Sequence, residues 1–162
     1  MDLASTPPPP AGTRPAAALR HAETDGELRA CWPVMHQLRP HLQDADGFIG
    51  RVQRMRGDRY RILAAWQGES VVALGGYHLM DNFIHGRFLY VDDLVTRDTA
   101  RGCGWGARLM EEMAAIARQS GCASLVLDTA LSNALAQRFY FRQGLLTRAI
   151  RFSRELAGEA MA

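Results

Sequence analysis

An α/β (α+β) fold is predicted by three features of the sequence. Segments with strand-like and helix-like patterns follow one another in the order β, α, α, three strands, α, β, α, β. A glycine-rich turn at residues 101–106 joins the longest strand pattern to an amphipathic helix pattern. The length of 162 residues and the apolar content of 48% suit one domain with one hydrophobic core.

Residues 1–15 differ in composition from the rest of the chain. They contain four consecutive prolines, Pro7 to Pro10, and a further Pro15, separated by small or polar residues. Such a segment lacks the apolar side chains needed for packing, so we expect a flexible or polyproline tail. The remaining residues, 16–162, are predicted to form a single domain.

The first predicted elements are a strand and two helices. Residues 18–22 can form a short strand, after which Thr24 or Asp25 can cap a helix. Apolar residues recur in this helix at helical spacing: Leu28, Trp32, Met35 and Leu38. Pro33 lies inside the pattern, so the helix is expected to be kinked or split. Asp44 or Asp46 can start a second helix, which Gly57 and Asp58 end.

Three strands are predicted next. Residues 60–64 and 71–77 are rich in β-branched and aromatic residues and flank the turn 67–69, which indicates a hairpin. A further turn at 81–86 precedes a long strand over residues 88–96.

The C-terminal half begins with the helix that follows the glycine turn. Leu109, Met113, Ile116 and Ala117 lie on one face of it. A strand over 123–128 and a helix starting at Asn133 come next, and alternation over 145–152 predicts a last strand.

The glycine turn reads Arg101-Gly102-Cys103-Gly104-Trp105-Gly106. Glycines remove the Cβ atoms that would block close approach, and the start of a helix offers unpaired N–H groups, so an anion such as a phosphate is the expected ligand. The spacing does not fit the dinucleotide fingerprint, whose third glycine would fall at 107. It does not fit a P-loop either, because the chain has no lysine.

Two motifs resemble those of the GNAT superfamily, the acetyl-CoA-dependent N-acyltransferases. The first is Arg-x-x-Gly-x-Gly at 101–106. The second is Asn-x-x-Ala-x-x-Phe-Tyr at 133–140, followed by Gly144 and Leu145. The resemblance covers roughly residues 59–154. It implies a mixed, largely antiparallel central sheet with helices on both faces, in which two parallel strands, 88–96 and 123–128, splay apart and hold the cofactor.

The resemblance also implies which residues bind acetyl-CoA. The pyrophosphate would be held by the turn and the helix start, namely Arg101, Gly102, Gly104, Gly106 and Ala107. Leu94, Val95 and Thr96 would pair with the pantetheine arm in the manner of an added strand. Asn133 is expected to cap its helix, contact the cofactor, or do both.

Acetyl transfer to an amine needs a base, a donor to the carbonyl oxygen and an acid for the departing thiolate. Within the motif, Tyr140 matches the position of the acid. Asp92 and Asp93 are the candidates for the group that attracts the amine or accepts its proton. Strict alternation along a strand would allow only one of them to point into the cleft.

The resemblance implies transfer of an acetyl group to a primary amine of a small molecule, peptide or protein by direct attack in a ternary complex. Residues ~24–56 and the loop 80–87 would select the acceptor. The alternative is a catalytically silent acyl-CoA sensor or interaction module with the same fold. A monomer or a homodimer is expected.

Composition and spacing exclude several other classes. A net charge of +2 is too small to indicate nucleic-acid binding, and no apolar run approaches a membrane span. The start of the chain does not resemble a secretory signal, so a cytoplasmic protein is expected. The three cysteines and five histidines lack metal-ligand spacing, which predicts reduced thiols and no metal.

Overall fold

The computed structural model describes residues 18–156, which contain one five-stranded sheet. The strands lie in chain order across the sheet. All neighbouring pairs are antiparallel except the last, β4 with β5, which is parallel. The bounds are β1 Ala18–His21, β2 Tyr60–Gln67, β3 Ser70–Asn82, β4 Gly86–Thr96 and β5 Ser124–Leu127. The expected mixed, largely antiparallel sheet is confirmed, whereas the predicted tail, 1–15, lies outside the described residues.

Helices cover both faces of the sheet. Their bounds are α1 Asp25–Leu38, α2 Ala45–Met55, α3 Trp105–Gln119 and α4 Ala134–Arg142. Helices α1 and α2 pack on one face against buried residues such as Tyr60 and Ile62. Helix α3 packs on the other face against Tyr77 and Leu89, and α4 adds Phe139 to that second cluster. The apolar area removed from water on the two faces is the main stabilising contribution to the fold.

Both N-terminal helices begin where their capping residues predict. The Thr24 side chain accepts a hydrogen bond from the Glu27 backbone N–H, and the Glu27 side chain accepts one from the Thr24 backbone, which is a capping box. Asp44 caps α2 through the Gly47 N–H. Helix α1 runs without a break through Pro33, so the predicted split is not observed. The helix is retained because its buried face packs on the sheet on both sides of the proline.

The last predicted strand, 145–152, is not formed. Residues 145–156 adopt no regular secondary structure, and Leu146, Ile150 and Phe152 are exposed by 68%, 69% and 90%. An alternating pattern makes a strand only where a neighbouring strand supplies hydrogen bonds and a surface to cover the apolar side chains. Here an ion pair between Arg151 and Asp128 holds the segment near the end of β5 instead.

Strands β4 and β5 are paired over only part of the length of β4. Their register joins Phe88–Val91 to Ser124–Leu127, and β5 then ends. Strand β4 continues for five more residues, paired with β3 alone among the described strands. Among the described strands, the second half of β4 therefore has an open edge.

Candidate active site

The glycine turn leads into α3 with an open backbone surface. Gly102 and Gly104 have φ values of 75° and 79°, in the left-handed region that glycine adopts without strain. A Cβ built on either residue would meet nothing within 4 Å, so the space beside the turn is free. Gly104 precedes the first residue of α3, and no side chain caps that end. The unpaired N–H groups and the free space fit a phosphate.

Gly106 has a different role from the other two glycines. A Cβ at this position would lie 3.1 Å from Cζ of Phe139, on α4. Gly106 therefore allows α3 and α4 to pack closely, and it fixes the helix that carries Tyr140 against the turn. The other two predicted pyrophosphate ligands are the first residue of the turn and the residue after it. Arg101 is exposed and pairs with Asp98 at 2.7 Å, and Ala107 is half-buried in the first turn of α3.

The three residues predicted to pair with pantetheine lie on the open edge of β4. Leu94, Val95 and Thr96 face Gly75, Leu74 and Ala73 of β3 on one side. On the other side no strand of the described chain pairs with them, because β5 ends opposite Val91. An extended ligand could therefore add to this edge through backbone hydrogen bonds.

Helix α4 carries the second motif. The Asn133 side chain caps α4 by accepting from the Ala136 N–H at 3.1 Å, so its capping role is present in the fold. Tyr140 is half-buried, and its ring packs edge-on against Phe139 with the centroids 5.4 Å apart. Burial raises the pKa of the Tyr140 phenol above its usual 10.0. The phenol therefore stays protonated at neutral pH, as a proton donor must.

A β-bulge in β4 places both candidate aspartates on the same face of the sheet. The register with β3 shifts between Gly76 and Tyr77, so that Asp92 is the extra residue between Val91 and Asp93. Both aspartates line one cavity. The expectation that only one of them could point into the cleft is wrong, because a bulge interrupts the alternation on which it was based.

Asp93 is held in a buried network. One carboxylate oxygen accepts a hydrogen bond from the Tyr60 hydroxyl at 2.8 Å, and the other accepts one from Nε of Arg39, also at 2.8 Å. Asp93 is 8% exposed. Burial and the neighbouring Asp93 raise the pKa of Tyr60 well above 10.0, so the phenol remains the donor. Gly76 makes room for this network, since a Cβ there would lie 2.0 Å from the Tyr60 hydroxyl oxygen.

Asp92 has a different environment. Its carboxylate lies 2.7 Å from Nδ1 of His78, on β3. Burial raises the pKa of Asp92 above 3.8, while the His78 contact opposes that shift. A half-buried carboxylate that retains its proton more strongly than a free aspartate is also a better proton acceptor once ionised.

The cavity that the aspartates share lies between the sheet and helices α1 and α2. Its volume is about 300 Å³, at the lower end of the range for small-molecule sites. Apolar residues from α1, α2 and the loop between them form much of its lining: Met35, Leu42, Phe48, Val52 and Met55. Its polar groups are Arg39, His41, Arg51, Tyr60, Asp92 and Asp93.

Several of these polar residues were not identified from the sequence. Arg39 follows the last residue of α1, and Tyr60 opens β2, so neither belongs to a motif. His78 could have been suggested by hairpin register, because it lies directly opposite both Tyr60 and Tyr90 in the sheet.

Within residues 18–156, no group of three or more histidine, cysteine, aspartate or glutamate side chains could hold a metal ion. Cys31, Cys103 and Cys122 are free thiols. Among the described helices, none is long and apolar enough to cross a bilayer.

The parallel strand pair therefore ends beside a glycine turn at a helix start, next to a polar cavity. The family model of the acetyltransferase (GNAT) family matches residues 21–145. The chain belongs to this family of N-acetyltransferases.

Three similar proteins illustrate the relationship. An uncharacterized N-acetyltransferase, YhdJ of Bacillus subtilis, is 28% identical over 115 residues, which are 70% of this chain and 80% of YhdJ. The aminoglycoside N-acetyltransferase AAC(6')-Iy, solved in complex with CoA, superposes with a TM-score of 0.75 at 15% identity, over 90% of this chain and 97% of that one. The glucosamine-6-phosphate N-acetyltransferase of Arabidopsis thaliana superposes with a TM-score of 0.70 at 20% identity, over 86% of this chain and 98% of that one. At these identities, the two structural matches show a common fold.

Proposed function

We propose that this protein transfers the acetyl group of acetyl-CoA to a primary amine of a small molecule or peptide, by direct attack in a ternary complex. The observation that carries this proposal is the position of Asp92. It is the bulged residue of β4, it lines the cavity, and it lies two residues before the open edge at Leu94–Thr96. An acceptor in the cavity and a cofactor on the edge would therefore meet at the bulge.

The chain offers two backbone surfaces to the cofactor. The turn at Gly102 and Gly104, with the start of α3, would hold the pyrophosphate through N–H groups. The open edge from Leu94 to Thr96 would pair with the pantetheine arm. When bound, acetyl-CoA supplies the activated acetyl thioester.

The side chains would then divide the proton transfers between them. Asp92 attracts the ammonium group of the acceptor and removes its proton. Asp93, fixed by Arg39 and Tyr60, keeps this part of β4 in place. As the C–N bond forms and the C–S bond breaks, Tyr140 would give its proton to the departing thiolate. The second proton lost by the amine would return the Tyr140 phenolate to its neutral form.

The names of the similar proteins support a small-molecule amine as the acceptor. AAC(6')-Iy is named for aminoglycosides and the Arabidopsis enzyme for glucosamine 6-phosphate. The cavity of about 300 Å³ is also suited to a small ligand.

Release of free thiol from acetyl-CoA, followed with a thiol reagent in the presence of a panel of amines, tests the proposed activity. We expect thiol release that requires both the amine and the enzyme, with an equal amount of acetylated amine detected by mass spectrometry. If CoA binds tightly but no amine is acetylated, the protein is an acyl-CoA sensor instead.

A further inference from the structure

The two walls of the cavity carry charges of opposite sign. On the sheet side, strand β4 contributes two carboxylates, Asp92 and Asp93. On the helix side, Arg39 follows α1 and Arg51 lies on α2, with His41 in the loop between them. The cavity is therefore not uniformly acidic, as a site for a polycation would be.

One arginine and one aspartate of the cavity lining pair with each other. Arg39 pairs with Asp93 at 2.8 Å and also donates to the Asp92 backbone carbonyl at 3.0 Å, so these two side chains neutralise each other. Asp92 remains on the sheet wall, beside His78. Arg51 lines the helix wall, on α2.

Arg51 can bind an anion while keeping a contact within the protein, of which it has at least one. A guanidinium group carries five N–H donors in a planar fork, and two of them match the oxygens of a carboxylate or phosphate. Asp92 on the opposite wall suits an ammonium group. Phe48 and Met55, which also line the cavity, suit an apolar or ring-shaped body.

We infer that the acceptor is a monoamine that also carries an anionic group, a carboxylate or a phosphate, which Arg51 recognises while Asp92 receives the amine. This inference rests on the proposed function, since it names the class of amine that is acetylated. It follows that polycationic amines are poor acceptors, because the cavity holds as many arginines as carboxylates.

Matched pairs of amines that differ only in the anionic group test the inference. They also show whether the recognised group is a carboxylate or a phosphate. Phenylalanine against phenethylamine tests a carboxylate, glucosamine 6-phosphate against glucosamine tests a phosphate, and kanamycin represents the polycations. We expect kcat/KM for the anionic member of one pair to exceed that of its neutral partner by about tenfold or more, the size of one charge-assisted contact.

The variant Arg51→Gln should bring that ratio close to one. Arg54→Gln is the matched control, since Arg54 lies one turn further along α2 and does not line this cavity. We expect it to keep the ratio of the parent protein. Equal or faster acetylation of the neutral amines, preference for kanamycin, or an unchanged ratio in Arg51→Gln would each overturn the inference.

Calorimetric titration of the same amines into the protein saturated with CoA separates this inference from the proposed activity. If an anionic amine binds to the parent protein but not to Arg51→Gln, and is not acetylated, the ligand class is supported and the proposed activity is contradicted. Acetylation without preference for the anion contradicts the ligand class alone. If no amine of the panel binds or reacts, both are wrong.

Discussion

At the scale of single residues, the site depends on how burial changes the proton affinity of two side chains. Tyr140 and Asp92 are both half-buried, and burial raises the pKa of each. For the carboxylate, the shift strengthens the proton acceptor that we propose. For the phenol, it widens the gap above the pKa of a thiol, so proton transfer from Tyr140 depends on direct contact between the phenol and the thiolate.

Replacement of Tyr140 by Phe removes one hydroxyl and keeps the ring that packs against Phe139. We expect single-turnover acetyl transfer to slow by ~10²-fold or more, the usual contribution of a general acid, while the Kd for acetyl-CoA changes little. Rapid-quench measurement between pH 6 and 9 provides the rate. A rate equal to that of the parent protein across this range would make Tyr140 a packing residue.

The Asp92→Asn variant should lose the acidic limb of the pH–rate profile. An aspartate that acts as a base must be ionised, so activity should fall as the pH drops through its pKa, which burial places above 3.8. Asparagine keeps an oxygen that can accept a hydrogen bond from His78 but cannot take a proton. We expect kcat/KM to fall by ~10²-fold or more, measured from pH 4 to 9.

The control for Asp92→Asn is Asp81→Asn. Asp81 is an exposed aspartate near the end of β3, with its side chain 61% accessible, and it does not line the cavity. A similar loss of activity in both variants would contradict a specific role for Asp92.

At the scale of the elements, the bulge and the turn depend on different properties of glycine. Gly76, opposite the bulge, provides space for a side-chain network. Gly104, before α3, provides a left-handed backbone and an open surface. Substitution of Gly76 should therefore lower the stability of the fold, whereas substitution of Gly104 should weaken the binding of CoA.

Gly76→Ala should destabilise the fold by about 1–3 kcal/mol, because the added methyl group would displace the buried Tyr60 hydroxyl from Asp93. Urea unfolding followed by circular dichroism measures this change. Gly57→Ala is the control, since a Cβ at Gly57 meets nothing within 4 Å. Equal stability of the two variants would show that the sheet adapts to the methyl group at no cost.

Gly104→Val should raise the Kd for CoA about tenfold or more, because the side chain would occupy the space where a phosphate meets the backbone. The control is Gly121→Val, at the other end of α3. Gly121 has a φ of 71°, so valine is strained there as it is at Gly104, and a Cβ built on Gly121 also meets nothing within 4 Å. Both variants should lose similar stability, and calorimetry should show weaker CoA binding only in Gly104→Val. Equal CoA affinity in the two would place the pyrophosphate elsewhere.

Elements whose determining residues lie close together in the sequence were predicted well. Elements that depend on pairing with another strand were not. The start of α1 was predictable because Thr24 and Glu27 satisfy backbone N–H groups within four residues of one another. The resemblance implies a bulge in this strand near Leu94–Thr96, but its position at Asp92 was not predicted, because an extra residue in one strand is defined only by its register with the next. The strand over 145–152 was predicted from alternation alone, and alternation does not supply a neighbouring strand.

At the scale of the whole molecule, the site lies across both clusters of the core. The cavity lined by Asp92 and Asp93 borders the α1 and α2 side, whereas the glycine turn and α4 belong to the α3 side. Strand β4 connects them, since its paired first half is buried and its second half is open on one edge. Of the candidate site, the glycine turn and the second motif were predictable, but the network around Asp93 was not, because its members lie 33 and 54 residues away in sequence.

Ligand binding should stabilise the whole domain. A ligand that binds only the folded state adds about 2.7 kcal/mol at a hundredfold excess over its Kd. For a chain of this size, that corresponds to a rise in Tm of about 5–10 °C. Differential scanning fluorimetry with millimolar CoA or acetyl-CoA measures it. An unchanged Tm with both ligands would contradict the cofactor site.

The open edge of β4 also has a consequence for how the protein behaves in solution. Unpaired N–H and C=O groups on a strand are a template to which a strand of any other molecule can add, and this is a common route to aggregation. The three residues from Leu94 to Thr96 present such a template in the ligand-free protein. The pantetheine arm would cover it, so the cofactor would protect the sheet from unwanted association as well as taking part in the reaction.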